Sequence, residues 1–244
     1  MAEPSGNGIG SLNESSLHRD VKAWYAQPGD LLEAQVDGYV IDVVRGDLLV
    51  EVQTGSFASI RGKLGDLLTG HRVRLVYPLP VRRWITRVSP ETGEILGRRR
   101  SPKRGRAIDV FDELVRIPEL MADPGFSLEL LLIEQDEIRC VDGQGSWRRG
   151  GASVVDRRLL RVVESVEFCE PACLARLLPE GISRPFTNRM LAAEAAVPLR
   201  LAQRMTYCLR KMGRLVSVGR TGRQMLFDVA PQPAAQLTAA QRVE

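Results

Sequence analysis

The sequence predicts an α/β protein built as two units: a mixed sheet flanked by helices, then a smaller helical unit closed by a β-hairpin. Three observations predict it. Runs rich in Val, Ile and Leu alternate with small turns over 31–54 and again over 72–77, the pattern of strands. Amphipathic segments of helical period lie before and between those runs. Near Cys169 to Pro171 the composition shifts to helical segments followed by two short strand-like runs around Gly219-Arg-Thr-Gly222.

In chain order, 1–12 and 231–244 read as flexible tails. Leu17, Val21, Trp24 and Tyr25 recur at helical spacing over 13–26, and Pro28-Gly29 ends that helix. Three strands follow, at 31–36, 38–44 and 48–54. Phe57, Ile60, Leu64, Leu67 and Leu68 predict a helix over 56–69 with Gly70 at its end. A strand over 72–77 should stop at Pro78 and Pro80, and Arg98 to Arg106 (RRRSPKRGR) looks like a basic loop. A helix over 108–121 and strands over 127–141 complete the unit, while 157–168 reads equally as helix or strand.

In the second unit, Thr187 stands at the N-cap position before 188–196, and Val197-Pro198 makes a turn. The helix 199–212 then puts Leu201, Met205, Cys208, Leu209 and Met212 on one face. Arg200, Gln203, Arg204, Tyr207, Arg210 and Lys211 lie on the other.

Charge is unevenly placed. The chain of 244 residues has a formal net charge of +4. Nine basic and two acidic residues fall between Arg82 and Arg106, and nine basic and one acidic between Arg184 and Arg223, so the remainder sits near −11. Two positive blocks on an acidic background suit a phosphate backbone. No apolar run is long enough to cross a bilayer, and 1–10 lacks a basic n-region with an apolar h-region, so a cytoplasmic chain without a membrane partner is expected. The four cysteines fit neither a disulfide scaffold nor a zinc pattern and are expected to be reduced and mostly buried.

The most informative segment is Asp37 to Gln53. With Gly46-Asp47 as a two-residue turn, Arg45 pairs with Leu48, and stepping outward brings Asp42 opposite Glu51. Opposed residues share a face, their Cβ atoms roughly 5 Å apart, and like charges so placed destabilise a sheet unless a cation lies between them. Hard oxygen donors suit Mg²⁺ or Mn²⁺. Gln53 shares that face by period-2 alternation, and Glu33 and Asp37 are further acids nearby.

The order helix, strands, Asp, hairpin, Glu-x-Gln, helix, strand resembles the PD-(D/E)XK, or restriction endonuclease-like, nuclease superfamily. The resemblance covers 13–80 as core motif and extends through the basic loop 82–106 to 168. It implies Asp42 and Glu51 as ligands of Mg (or Mn), Gln53 at the place of the family's lysine, and Glu14 as the first-helix acid. Lys63, on the following helix, is the candidate to supply the cation that Gln53 lacks.

The segment 169–230 resembles the winged helix-turn-helix family. That likeness implies DNA contacts from Arg200, Gln203, Arg204, Tyr207, Arg210 and Lys211 on the second helix of the pair, and from Arg220 and Arg223 on the wing. Together these features lead to an expectation of metal-dependent DNA phosphodiester hydrolysis, with DNA positioned by the winged helix and a homodimer admitted. The alternative is a catalytically inactive nuclease-like fold acting as a DNA-binding regulator or adaptor.

Overall fold

The computed structural model describes residues 15–231, and the chain divides into two units, 15–170 and 171–231. The first is mixed α/β with a largely β core. Helix α1 (Ser16–Tyr25) is capped by Ser15, whose side chain accepts from the His18 N–H. It packs Leu17, Val21 and Tyr25 against Val43, Val50, Val52, Val76, Leu131 and Ile133 of the sheet. Trp24 is 50% exposed, contrary to expectation. The stripe 17, 21, 25 turns the flank with His18 and Lys22 inward and rolls Trp24 out.

Strands β1 (Leu31–Val36), β2 (Tyr39–Arg45) and β3 (Leu48–Val52) form an antiparallel meander. A 3₁₀ turn (Phe57–Ser59) and a short helix α2 (Arg61–Leu67) replace the single helix expected over 56–69. Gly62 and Gly65 weaken any longer helix there. The chain then enters β4 (Arg72–Val88), parallel to β3.

Pro78 and Pro80 do not end β4. The β3–β4 ladder stops at Val76. The carbonyls of Val76 and Pro80 face away from β6, toward the Gln53 N–H and the Gly105 N–H. The missing proline donors, of the same parity, therefore point where β3 has already left. The basic block is likewise no loop throughout: β5 (Ile95–Arg100) pairs antiparallel with β4 and includes Arg98 to Arg100.

The expected helix over 108–121 is broken into a 3₁₀ turn (Ala107–Val110), one turn of helix α3 (Phe111–Leu114) and a further 3₁₀ segment (Pro118–Ala122). Pro118 has no N–H and its ring blocks continuation from the preceding turn. Strand β6 (Phe126–Cys140) runs parallel to β4, and β7 (Ser153–Phe168) antiparallel to β6, which resolves 157–168 as strand. The sheet order is β1-β2-β3-β4-β6-β7, with β5 on β4. Three register shifts along β7 leave Val155, Leu160 and Val163 unmatched, and all three are exposed.

The acids of β6 are held by arginines of its neighbours and of β6 itself. Glu134 pairs with Arg82 (2.6 Å) and Arg161 (2.8 Å), and Glu137 with Arg83 (3.2 Å) and Arg139 (2.6 Å). Part of the first basic block is thus neutralised within the sheet.

The second unit contains α4 (Pro171–Ala175), α5 (Asn188–Glu194), α6 (Leu199–Lys211) and the hairpin β8 (Leu215–Thr221) and β9 (Gln224–Val229). The Thr187 side chain accepts from the Met190 N–H at the start of α5. Phe186 forms an isolated bridge with Phe227 of β9. The hairpin turn is Gly222-Arg223, not 219–222, since Arg220 pairs with Met225 and Thr221 with Gln224. Gly222 has φ +58°, the left-handed value that favours glycine there.

Of the four free cysteines only Cys208 is buried. Cys140 and Cys173 are half-buried and Cys169 is exposed, so most are not core residues. Among the described residues, no helix is long and apolar enough to cross a membrane.

Candidate functional site

The β2–β3 ladder runs Arg45–Leu48, Val44–Leu49 and Val43–Val50, around a Gly46-Asp47 turn in which Gly46 has φ +58°. Carried one step further, this register sets Asp42 against Glu51. There the backbone pairing gives way to a side chain: Asp42 Oδ2 accepts from the Val52 N–H at 2.8 Å.

Each acid meets a basic side chain from a different helix. His18 of α1 brings Nε2 to 3.2 Å from Asp42 Oδ2. Lys63 of α2 brings Nζ to 2.6 Å from Glu51 Oε1 and also donates to the Val40 carbonyl at 2.6 Å. The Lys63–Glu51 contact is ionic in character, because Oε1 is buried and receives no hydrogen bond of acceptable geometry despite the short approach. The ammonium also lies 6.0 Å from the Tyr39 ring centroid.

The two carboxyls are driven apart electrostatically. Burial raises Asp42, but the His18 hydrogen bond and charge, the Val52 N–H and nearby Lys22 outweigh it, and its carboxyl is held below the usual range. Burial pushes Glu51 up to about 7. Lys63 opposes that rise and the Asp42 charge adds to it. The surroundings therefore favour the ionised form of Asp42 and the protonated form of its 4%-exposed neighbour.

Gln53 lies elsewhere. Its Nε2 donates to the Ser56 carbonyl (2.9 Å) and Ser59 Oγ (2.8 Å), tying the end of β3 to the turn that launches α2. Glu33 pairs with Lys22 at 2.7 Å and Asp37 with His71 at 2.7 Å, so neither is drawn onto the Asp42–Glu51 pair by these contacts. Glu14 lies outside the described residues, as do 1–12 and all of 231–244 except Pro231.

His18 is the residue that sequence reasoning missed. Its spacing of four from Lys22, beside the stripe 17, 21, 25, was the available signal that one polar flank of α1 faces inward.

The two carboxylates on adjoining strands are hard oxygen donors of the kind that divalent cations take, and in this structure basic side chains stand beside both, Lys63 at 2.6 Å from Glu51 Oε1 and His18 at 3.2 Å from Asp42 Oδ2. Among the described residues no three His, Cys, Asp or Glu side chains gather as a metal-ligand group, so protein would supply only part of a coordination shell.

In the second unit, Arg200, Gln203, Tyr207, Arg210 and Lys211 are exposed on α6, and Arg204 is half-buried. Arg220 on β8 and Arg223 at the turn are exposed as well. Arg200, Arg220 and Arg223 make no ion pair among the described residues.

A family model described as a domain of unknown function, DUF8091, matches residues 15–169. The chain belongs to the DUF8091 family. The DUF8091 domain thus coincides with the first unit and contains Asp42, Glu51, His18 and Lys63. An uncharacterized protein of Treponema pallidum (strain Nichols) is 32% identical over 225 residues, covering 91% of this chain and 88% of the relative. That similarity is longer than the DUF8091 domain and so includes part of the second unit. No solved structure matches.

Proposed function

We propose that this DUF8091 protein is a divalent-metal-dependent DNA phosphodiesterase of PD-(D/E)XK type, whose second unit binds duplex DNA as a winged helix. One observation carries the reading: of two acids on adjoining strands, Asp42 of β2 and Glu51 of β3, the second meets a lysine delivered from α2, Lys63 at 2.6 Å. The element order α1-β1-β2-β3-α2-β4 is the one on which the resemblance rests and supports it further. The reading includes a cytoplasmic setting and admits a homodimer.

Asp42 and Glu51 would hold Mg²⁺ or Mn²⁺, which when bound polarises a phosphate oxygen and lowers the pKa of a water. The chain's own groups do the rest. His18 orients the Asp42 carboxylate, and the Val52 N–H donates to the same oxygen. Lys63 favours the ionised form of Glu51 against its burial and keeps a positive charge beside a developing phosphorane. Exposed cations of α6 and the hairpin meet the DNA backbone.

The deciding experiment incubates the full chain with supercoiled plasmid under Mg²⁺, Mn²⁺ and EDTA, beside Lys63→Ala. Cation-dependent nicking that falls roughly a hundredfold in Lys63→Ala supports the reading, a few kcal/mol of lost electrostatic stabilisation. Full activity without Lys63 removes that residue's role.

A second reading, DNA binding without cleavage, is favoured by the engagement of Gln53 with Ser56 and Ser59. It predicts retention of plasmid with no nicking under any cation. In both readings Arg200→Ala and Arg223→Ala each weaken duplex binding several-fold and reduce the salt slope by about one, measured by fluorescence anisotropy across a salt series.

The two acids also predict opposite pH effects on stability. A carboxyl raised from 4.5 to about 7 favours the fold while protonated, and that contribution is lost as pH climbs from its unfolded value through 7. Asp42, lowered from 3.8, contributes above that value and loses its contribution only as pH falls through its depressed pKa. Glu51→Gln removes the first dependence, so its Tm should rise relative to the parent between about pH 5 and pH 8. A constant difference across that range would contradict the raised Glu51.

A further inference from the structure

The far end of the long sheet carries two indoles set among arginines. Trp84 of β4 stands directly opposite Arg100 of β5. The guanidinium groups of Arg98 and Arg100 lie 5.5 and 5.9 Å from its ring centroid, and Arg98 is also paired with Asp136 at 3.0 Å. Every residue of β5 is exposed.

The loop joining β6 to β7 springs from the same end, where the Val141 N–H donates to the Val88 carbonyl at 3.2 Å. It presents Trp147, 83% exposed, with the Arg148 guanidinium 5.5 Å from its ring.

That loop is built to hold the indole outward. The Gly145 N–H donates to the Gly151 carbonyl at 2.6 Å, and the Arg149 side chain to the Ala152 carbonyl at 3.1 Å. A Cβ on Gly145 would meet the Ala152 carbonyl oxygen at 1.9 Å, so only glycine permits this closure. Gly150 and Gly151, at φ +62° and +77°, complete the turn. A large aromatic surface is thus left in water by a pinned backbone, with a guanidinium group beside it.

The chemistry of the surroundings selects the partner. Indole planes with guanidinium groups over them suit a partner that offers flat π-faces and negative charge at a short repeat. Stacked bases in a duplex hide their π-faces, whereas an unpaired strand offers base faces and phosphates together. We propose that this end of the sheet docks single-stranded DNA, with Trp147 stacking on an unpaired base and Arg98, Arg100 and Arg148 meeting phosphates. The proposal rests on the DNA reading above and names its substrate as DNA with an unpaired segment.

The test is a fluorescence titration of the full chain at low salt with an oligothymidylate of about twelve nucleotides, a length within the usual single-strand footprint. A blunt hairpin duplex is titrated in parallel. Tryptophan quenching is expected in the parent, with oligothymidylate affinity roughly tenfold weaker in Trp147→Ala. Trp147→Phe should recover most of that loss and Trp147→Leu should not, which separates stacking from simple apolar contact. Trp147 is exposed, so an unchanged Tm confirms that the variants fold.

Equal oligothymidylate affinity in parent and Trp147→Ala, with duplex binding intact, overturns this proposal and leaves the DNA reading standing. Leucine performing as well as tryptophan also overturns it. Failure to bind either DNA overturns both.

Discussion

Glu51→Ala and Asp42→Ala are each expected to abolish cation-dependent plasmid nicking, by roughly a thousandfold or more, while duplex binding stays within about twofold of the parent. The magnitude follows from what a metal ligand supports: several kcal/mol of transition-state charge stabilisation, at tenfold in rate for each 1.4 kcal/mol. The separation of effects follows from the architecture. The acids belong to the β2–β3 hairpin of the first unit, and the exposed cations Arg200, Arg220 and Arg223 belong to the second. The two variants should differ in side effects. Glu51→Ala leaves the half-buried Lys63 without its ionic partner, whereas Asp42→Ala leaves the Val52 N–H without its acceptor. Nicking that survives both substitutions would remove the acid pair from the mechanism, and cleavage insensitive to EDTA would remove the metal.

Phe57→Ala is expected to destabilise the first unit by about 3–5 kcal/mol, a large share of a typical domain's total of roughly 5–15 kcal/mol. Phe57 is completely buried and meets the Tyr77 ring edge-on at 5.0 Å. Its N–H also donates to the Glu113 carboxylate at 3.2 Å, so the turn is anchored by side chain and backbone together. The same turn carries Ser56 and Ser59, held by Gln53, and leads directly into α2. Loosening it should therefore free Lys63 from Glu51 even in molecules that stay folded. Urea unfolding followed by far-UV circular dichroism gives the stability change. A loss under about 1 kcal/mol would show that the turn does not depend on this ring.

Much of the candidate site was legible because its signals are local. A Gly-Asp turn between two alternating apolar runs sets the β2–β3 register within a dozen residues, and that register is observed as far as Val43–Val50, one step short of Asp42 and Glu51. The two faces of α6 follow in the same way from helical period. What escaped reading depends on distant partners. Whether a proline ends a strand depends on which neighbour its missing N–H would have met, and for Pro78 and Pro80 that neighbour, β3, had already ended at Val52, opposite Val76. Arg98 to Arg100 read as solvated loop because the strand that pairs them, and the Asp136 that Arg98 meets, lie outside the local window. Gln53 shows the same limit at a single residue. Alternation put it on the face of the acids, yet the chain leaves the strand at that point and its amide turns to Ser56 and Ser59.

The unmatched residues of β7 bear on how the chain survives its own synthesis. A sixteen-residue strand at a sheet edge is a ready template for another chain's backbone. Val155, Leu160 and Val163 interrupt that template at three places, each adding a local twist that puts the exposed donors and acceptors out of step with a straight incoming strand. Their apolar character adds nothing to this protection, which comes from the extra backbone unit. Deleting Val163 should restore regular pairing over a longer stretch of this edge and raise the chain's rate of aggregation, followed by light scattering beside the parent.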